Sequence, residues 1–141
     1  MIVVDASVAV KWLIDEPGSA SADRLLPRYA GAIAAPDLLL IETAGALVRQ
    51  CNTGAFSAPT FESVLAEWQL LWANFIDARR TDLSDMVNAA RMAVKLGHPV
   101  KDCVYLGLAI ELDAALVTAD AKFRSRALRL HPHIELLDTL Q

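Results

Sequence analysis

A chain of 141 residues fits one domain and can bury a core large enough to need no disulfide or structural metal. Its composition, 55% apolar with 21% charged residues, is that of a greasy globular protein, and the apolar excess hints at a buried partner surface. The formal net charge of −4 argues against a simple polyanion binder without excluding a phosphate substrate, because four acids at a cation site would bring the 17 Asp and Glu into balance with the 13 Lys and Arg.

Ile2-Val3-Val4 is a short β-branched run and predicts a buried strand. The stretch it opens, MIVVDASVAVKWLID, is broken by Asp5 and Lys11; it is too short to span a membrane and, lacking a basic start, is a poor signal peptide. A helix is predicted over 7–14, stopping near Pro17-Gly18, and a weaker one over 19–29. Residues 31–35 read as a strand ending at Pro36, with Asp37 as the N-cap of a long apolar helix over 38–50. Asn52-Thr53-Gly54 is a break. Pro59 then opens a helix to residue 73, with Phe61, Leu65, Trp68 and Trp72 at helical spacing, and a short strand follows over 75–79. Residues 82–96 predict a helix closed by Gly97-His98-Pro99, and 101–112 another apolar helix. A strand over 115–118, a helix over 121–130 and a strand over 134–137 complete the chain. Cys51 and Cys103 lie in apolar helical patterns without metal-type spacing; they read as reduced core thiols, which favours the cytoplasm. The alternation predicts a single α/β domain over 1–141, with a parallel central sheet flanked by helices on both faces. Ligands of such sheets bind at the carboxyl ends of the strands.

Four acids stand out against that frame. Asp5 directly follows the first strand, and Asp120 follows the strand over 115–118 by one residue. Right-handed connections put both at one edge of the sheet, although each could equally cap the helix after it. Glu42 sits in the run LLLIETAGALV, with Leu38, Leu39, Gly45 and Ala46 as its helical neighbours and no local cation. A carboxylate there needs a cationic partner from elsewhere or lies on the helix's solvent edge. Asp102 opens an apolar helix, as a cap or as a site residue; Tyr105 and Leu106 share its face and turn it inward. Carboxylates brought together repel, each ionised pair about 5 Å apart costing roughly 3 kcal/mol at an effective dielectric of about 20, unless divalent cations are held between them. Oxygen-only donors suit Mg²⁺ or Mn²⁺, and two such ions would support in-line phosphodiester hydrolysis by water.

The segments IVVDAS, Glu42 after its apolar run, HPVKDCVYL and LVTADAKF together resemble PIN-domain proteins, most nearly the VapC-type toxins of prokaryotic toxin–antitoxin pairs. The likeness spans essentially the whole chain, although residues 53–80 carry none of its signatures. It implies that Asp5, Glu42, Asp102 and Asp120 are the catalytic, metal-holding acids. Ser7 and Thr118 would support them by orienting carboxylates; an early-helix hydroxyl and a β-favouring strand residue are the plainer readings. The resemblance further implies an RNA substrate, a small VapB-like antitoxin that blocks the active-site groove, and a homodimer or toxin–antitoxin hetero-oligomer.

Lys11 and Lys122 lie near Asp5 and Asp120 in sequence and are candidates for holding the RNA backbone; Arg124 and Arg126 read rather as a solvated helix face. Trp68 and Trp72 read as core or partner surface rather than as base-stacking residues, and none of His98, His131 and His133 shows a catalytic partner pattern. Ser7 stands where a haloacid-dehalogenase-type phosphatase needs a second acid. A phospho-receiver domain could use Asp37 as acceptor but lacks a Lys after the last strand. The alternative from another class is a non-catalytic PIN-like binding scaffold, which has no need of four acids.

Overall fold

The computed structural model describes residues 1–140. Its strands are the short apolar runs: β1 (Ile2–Val4), β2 (Ile33–Pro36), β3 (Ile76–Arg79), β4 (Ala115–Thr118) and β5 (Ile134–Leu136). They form one sheet in the order β3-β2-β1-β4-β5, every pair parallel. β1 is the middle strand and is buried along its length, which is why it carries only Ile and Val. The chain runs from β1 through β2 to β3 on one side, then crosses to place β4 on the other. The switch point therefore lies between β1 and β4, and ligands of parallel sheets bind at the carboxyl ends of such a pair.

The helices are α1 (Ala6–Ala9), α2 (Ser19–Arg28), α3 (Leu38–Asn52), α4 (Ala58–Phe75), α5 (Leu83–Leu96), α6 (Val100–Glu111) and α7 (Ala121–Ala127). α6 is the greasiest in its contacts. It buries Cys103, Tyr105, Leu106, Leu108 and Ala109 and packs on β1, β2 and β4, while α5 packs on α6. The unassigned stretch 53–80 is scaffold: Trp68 of α4 is 2% exposed, and its indole N–H donates to the Leu40 carbonyl on α3 (3.2 Å). Trp72 meets Trp68 edge-on, with ring centroids 5.7 Å apart. This pair braces the helix that carries Glu42.

Three local expectations are corrected. The helix predicted over 7–14 is the short α1 followed by a 3-10 turn, Val10–Trp12. Tightening there lets the Trp12 indole reach the Ala22 carbonyl (2.8 Å). Asp37 does not cap α3. Its backbone is already helical (φ −59°, ψ −20°), and its Oδ1 accepts from the Thr81 amide instead (3.2 Å). Cys51 is only half-buried, whereas Cys103 is a core thiol whose burial pushes its pKa up to about 11.

The entry to α5 is a reciprocal cap: Asp82 accepts from the Asp85 amide (2.9 Å) and Asp85 accepts from the Asp82 amide (3.0 Å). Asp82→Ala is expected to cost about 1 kcal/mol, read from the urea midpoint at unchanged slope. The exit of α5 bears on function. Gly97 takes φ +63°, Gly97 N–H donates to Val94 O (3.4 Å) and His98 N–H donates to Ala93 O (3.0 Å). This is the two-bond ending that a left-handed glycine permits. It reverses the chain within three residues and delivers His98 and the first turn of α6 to the carboxyl edge of the sheet.

Candidate active site

Asp5 leaves β1 with extended backbone (φ −103°, ψ 178°) and starts α1 by accepting from the Val8 amide (3.4 Å). It is a cap and also something more. The side chain is buried, and Ser7 Oγ donates to Oδ1 (2.5 Å) while Thr118 Oγ1 donates to Oδ2 (2.5 Å). Each hydroxyl accepts in turn from the next loop: Ala119 N–H donates to Ser7 Oγ (2.9 Å) and Asp120 N–H to Thr118 Oγ1 (3.1 Å). Two parallel chains of donors thus converge on one carboxylate and lock the β1 and β4 exits together. Burial raises the Asp5 pKa to about 6; the Ser7 and Thr118 hydroxyls and the Val8 amide pull it down, and the charge of Asp102 pushes it further up.

Asp120 caps α7, its Oδ1 accepting from the Phe123 amide (2.9 Å), and is otherwise exposed. Asp102 is not a cap, because Pro99 holds that position on α6. Its Oδ2 lies 2.7 Å from His98 Nε2. Burial raises the Asp102 pKa, the hydrogen bond to His98 and the charge of Lys101 oppose it, and Glu42 adds to it. Glu42 pairs with a cation from α6 rather than from its own helix: Lys101 Nζ lies 3.4 Å from Oε2. The Tyr105 hydroxyl donates to Oε1 (2.7 Å), and burial together with this bond drives the phenol far above its usual range.

Asp5, Glu42, Asp102 and Asp120 line one cleft of about 580 Å³, together with Ser7, Lys11, Arg49 and Lys101. The acids come from four separate parts of the chain, and three of them are electrostatically linked, Asp102 raising Asp5 and Glu42 raising Asp102. Among the described residues Lys101 is the one lysine or arginine bonded to them, and its side chain is 60% exposed. An excess of hard oxygen donors around a buried carboxylate fits a divalent cation of the Mg²⁺ or Mn²⁺ kind.

The PIN domain model matches residues 2–128. The chain belongs to the PIN domain family. Solved structures agree on the fold at low identity. VapC20 of Mycobacterium tuberculosis, described as a sarcin-ricin loop cleaving toxin, aligns with TM-score 0.71 at 14% identity, covering 89% of this chain and 94% of that one. VapBC2 of Rickettsia felis, bound to a promoter DNA fragment, aligns at 0.70 and 18%, covering 96% and 98%. FitAcB of Neisseria gonorrhoeae aligns at 0.72 and 12%, covering 99% and 100%. No curated protein matches the sequence.

Within this PIN domain the other expected site residues fall unevenly. Thr118 lies beneath the cleft and Ser7 on its wall, both bonded to Asp5. Lys11 reaches the cleft, but its ammonium is committed to Glu16 (3.1 Å) and the Pro17 carbonyl (2.7 Å). Lys122 is exposed on α7, away from the cleft lining. Arg124 and Arg126 are not a solvated face: Arg124 donates to Ile134 O (2.9 Å) and Arg126 to Gly97 O (2.8 Å). His98 does have an acidic partner, contrary to the sequence reading. Its spacing of four residues from Asp102 was visible, but the intervening Pro99 hid that the two share a face. Tyr105 and Lys101 were also missed as partners of Glu42, which lies 63 residues from Tyr105 in sequence. Tyr105→Phe is expected to weaken Mn²⁺ binding about tenfold without unfolding the chain, because it frees Glu42 from its orienting donor; titration calorimetry reads the change.

Proposed function

We propose that this PIN domain is the ribonuclease toxin of a toxin–antitoxin pair, hydrolysing RNA phosphodiester bonds with Mg²⁺ or Mn²⁺ held by Asp5, Glu42, Asp102 and Asp120. The observation that carries the reading is the lining of a single cleft at the β1–β4 switch point by these four acids, at a site where one lysine bonds them and no other cation does among the described residues. Such cations supply positive charge against the phosphate oxygens and make water a competent nucleophile near neutral pH. The chain's own work is positional. Ser7 and Thr118 deny Asp5 rotation, Tyr105 fixes Glu42, and the Phe123 amide anchors one oxygen of Asp120. Lys101 and Arg49 offer cleft cations for RNA phosphates alongside Lys11, whereas Lys122 does not line the cleft.

The toxin part of the reading draws on the VapC and VapBC likenesses. It agrees with the exposure of Leu40, Ile41 and Val48 on α3, the helix of Glu42, which a small VapB-like antitoxin or a second copy would cover. No described helix is long and apolar enough to cross a membrane, and we place the chain in the cytoplasm. Co-expression with the neighbouring open reading frame is expected to yield a tight complex with a small partner; a chain that purifies alone from that context contradicts the toxin assignment.

The test of the activity is incubation with total cellular RNA in Mg²⁺, Mn²⁺ or excess chelator, with cut ends mapped. Discrete cuts that need the metal and leave 5′-phosphates are expected. Cuts that persist in chelator, or that leave 2′,3′-cyclic phosphates, would mean that the RNA's own 2′-hydroxyl attacks and that the carboxylates are not the reactive centre.

A further inference from the structure

His98 is held from three sides. Its Nε2 meets Asp102 Oδ2 (2.7 Å), its side chain is only 5% exposed, and its ring lies against Phe123, with centroids 4.8 Å apart and planes 22° from parallel. On the far side, Arg126 Nη1 is 3.2 Å from His98 Nδ1 and donates also to Gly97 O (2.8 Å). A guanidinium has donors and no acceptor, so Nδ1 must be the accepting nitrogen. The ring proton then sits on Nε2 and is donated to Asp102.

The same atoms resemble a metal site, since His98, Asp102 and Asp120 each place a ligand atom within 4.8 Å of the others. The tautomer says otherwise. A ligating nitrogen must offer its lone pair; Nε2 carries the proton, and the lone pair of Nδ1 is taken by Arg126. A neutral N–H donor also does what a lysine could not: it orients Asp102 without cancelling the charge that a cation needs.

We propose that His98 is a positioning residue for Asp102, with Arg126 setting its tautomer and Phe123 its plane, so that Oδ2 is held and Oδ1 is left to the cleft. The inference rests on the metal-dependent reading of the cleft and adds a specific link to it. Arg126 and Phe123 lie on α7, the helix that Asp120 caps. One helix therefore sets the geometry of two acids, Asp120 directly and Asp102 through the ring.

Two measurements test it. Nitrogen NMR of histidine-labelled protein, metal-free and Mg²⁺-loaded, is expected to show His98 protonated at Nε2 and accepting at Nδ1 in both states; loss of the Nε2 proton on Mg²⁺ loading would make His98 a ligand and overturn the proposal. Calorimetric titration with Mn²⁺ is expected to show His98→Phe, which keeps an aromatic ring against Phe123, weakened tenfold or more, by about the range seen when outer-shell partners are removed. His98→Gln, which restores an N–H donor, recovers most of the affinity. Arg126→Met weakens binding in the same direction without touching the buried ring, so the idea stays testable if His98→Phe does not fold. Equal Mn²⁺ affinity of wild type, His98→Phe and Arg126→Met overturns the role of His98 alone. A wild-type chain that takes up no Mn²⁺ overturns the metal reading of the cleft, and this inference with it.

Discussion

Asp5→Asn is expected to lower metal-dependent RNA cleavage by about a hundredfold or more, the scale on which single preorganised charge-stabilising groups act in active sites. It should do so in a chain no less stable than wild type at pH 8 without metal. The reason is the position of the carboxylate. It is buried, and burial is the first cause of its pKa of about 6. Relative to an ordinary aspartate at 3.8, the folded state therefore binds this proton more tightly than the unfolded state. The shift corresponds to about 3 kcal/mol of destabilisation above both pKa values, at about 1.4 kcal/mol per pH unit. Asparagine removes that penalty. In exchange it turns one acceptor into a donor opposite Ser7 or Thr118, a mismatch of about 1–3 kcal/mol. The two effects nearly cancel, so activity falls steeply while the denaturation midpoint barely moves. Retained cleavage in a folded Asp5→Asn chain would remove Asp5 from the centre.

The second large effect is the reversal of this pH dependence by metal. Without metal, the contribution of Asp5 to stability is fully present below pH 3.8 and is lost as pH rises through about 6. Asp102, also raised chiefly by burial, acts in the same sense. On the proposed reading Mg²⁺ or Mn²⁺ would bind the ionised carboxylates, so the metal-induced rise in melting temperature should be small at pH 5 and large at pH 8. At a hundred times the dissociation constant the gain is about 2.7 kcal/mol. Glu42→Gln should shrink that gain while leaving metal-free stability little changed, because glutamine still accepts from Tyr105 and the pair with exposed Lys101 is worth little in water. Asp37→Asn is the control: Asp37 accepts only a backbone bond from Thr81 and does not line the cleft, so its metal response should equal that of wild type. A gain that is independent of pH, or one that Asp37→Asn abolishes, contradicts this assignment.

What the sequence disclosed follows from the range over which each force acts. The strands are legible because a central parallel strand is buried on both faces and must be apolar throughout, as Ile2-Val3-Val4 is. Asp5 and Asp120 are legible because an acid within two residues of the end of such a strand sits at the sheet's carboxyl edge. Glu42 is legible by its oddness among leucines. The partners of these acids were hidden because they arrive through tertiary packing. Tyr105 and Lys101 reach Glu42 only once α6 lies beside α3, and His98 reaches Asp102 only across the Gly97 turn. The cap expected at Asp37 failed for the same reason: its amide donates to Arg79 O of the neighbouring strand (2.8 Å), and its side chain bonds Thr81. Proximity in sequence did bring Lys11 to the cleft but says nothing of its pairing with Glu16, and it left Lys122 outside the cleft lining.

The central claim is that the four acids form one divalent-cation centre, and anomalous diffraction from crystals of the full chain grown with Mn²⁺ tests it most directly. The expected result is manganese density in the cleft, coordinated by Asp5 and Asp102 with Asp120 or Glu42 completing the oxygen set, and absent from Asp5→Asn crystals. Manganese found only at other carboxylates, such as the Asp82–Asp85 pair at the start of α5, with none in the cleft at saturating concentration, would contradict it.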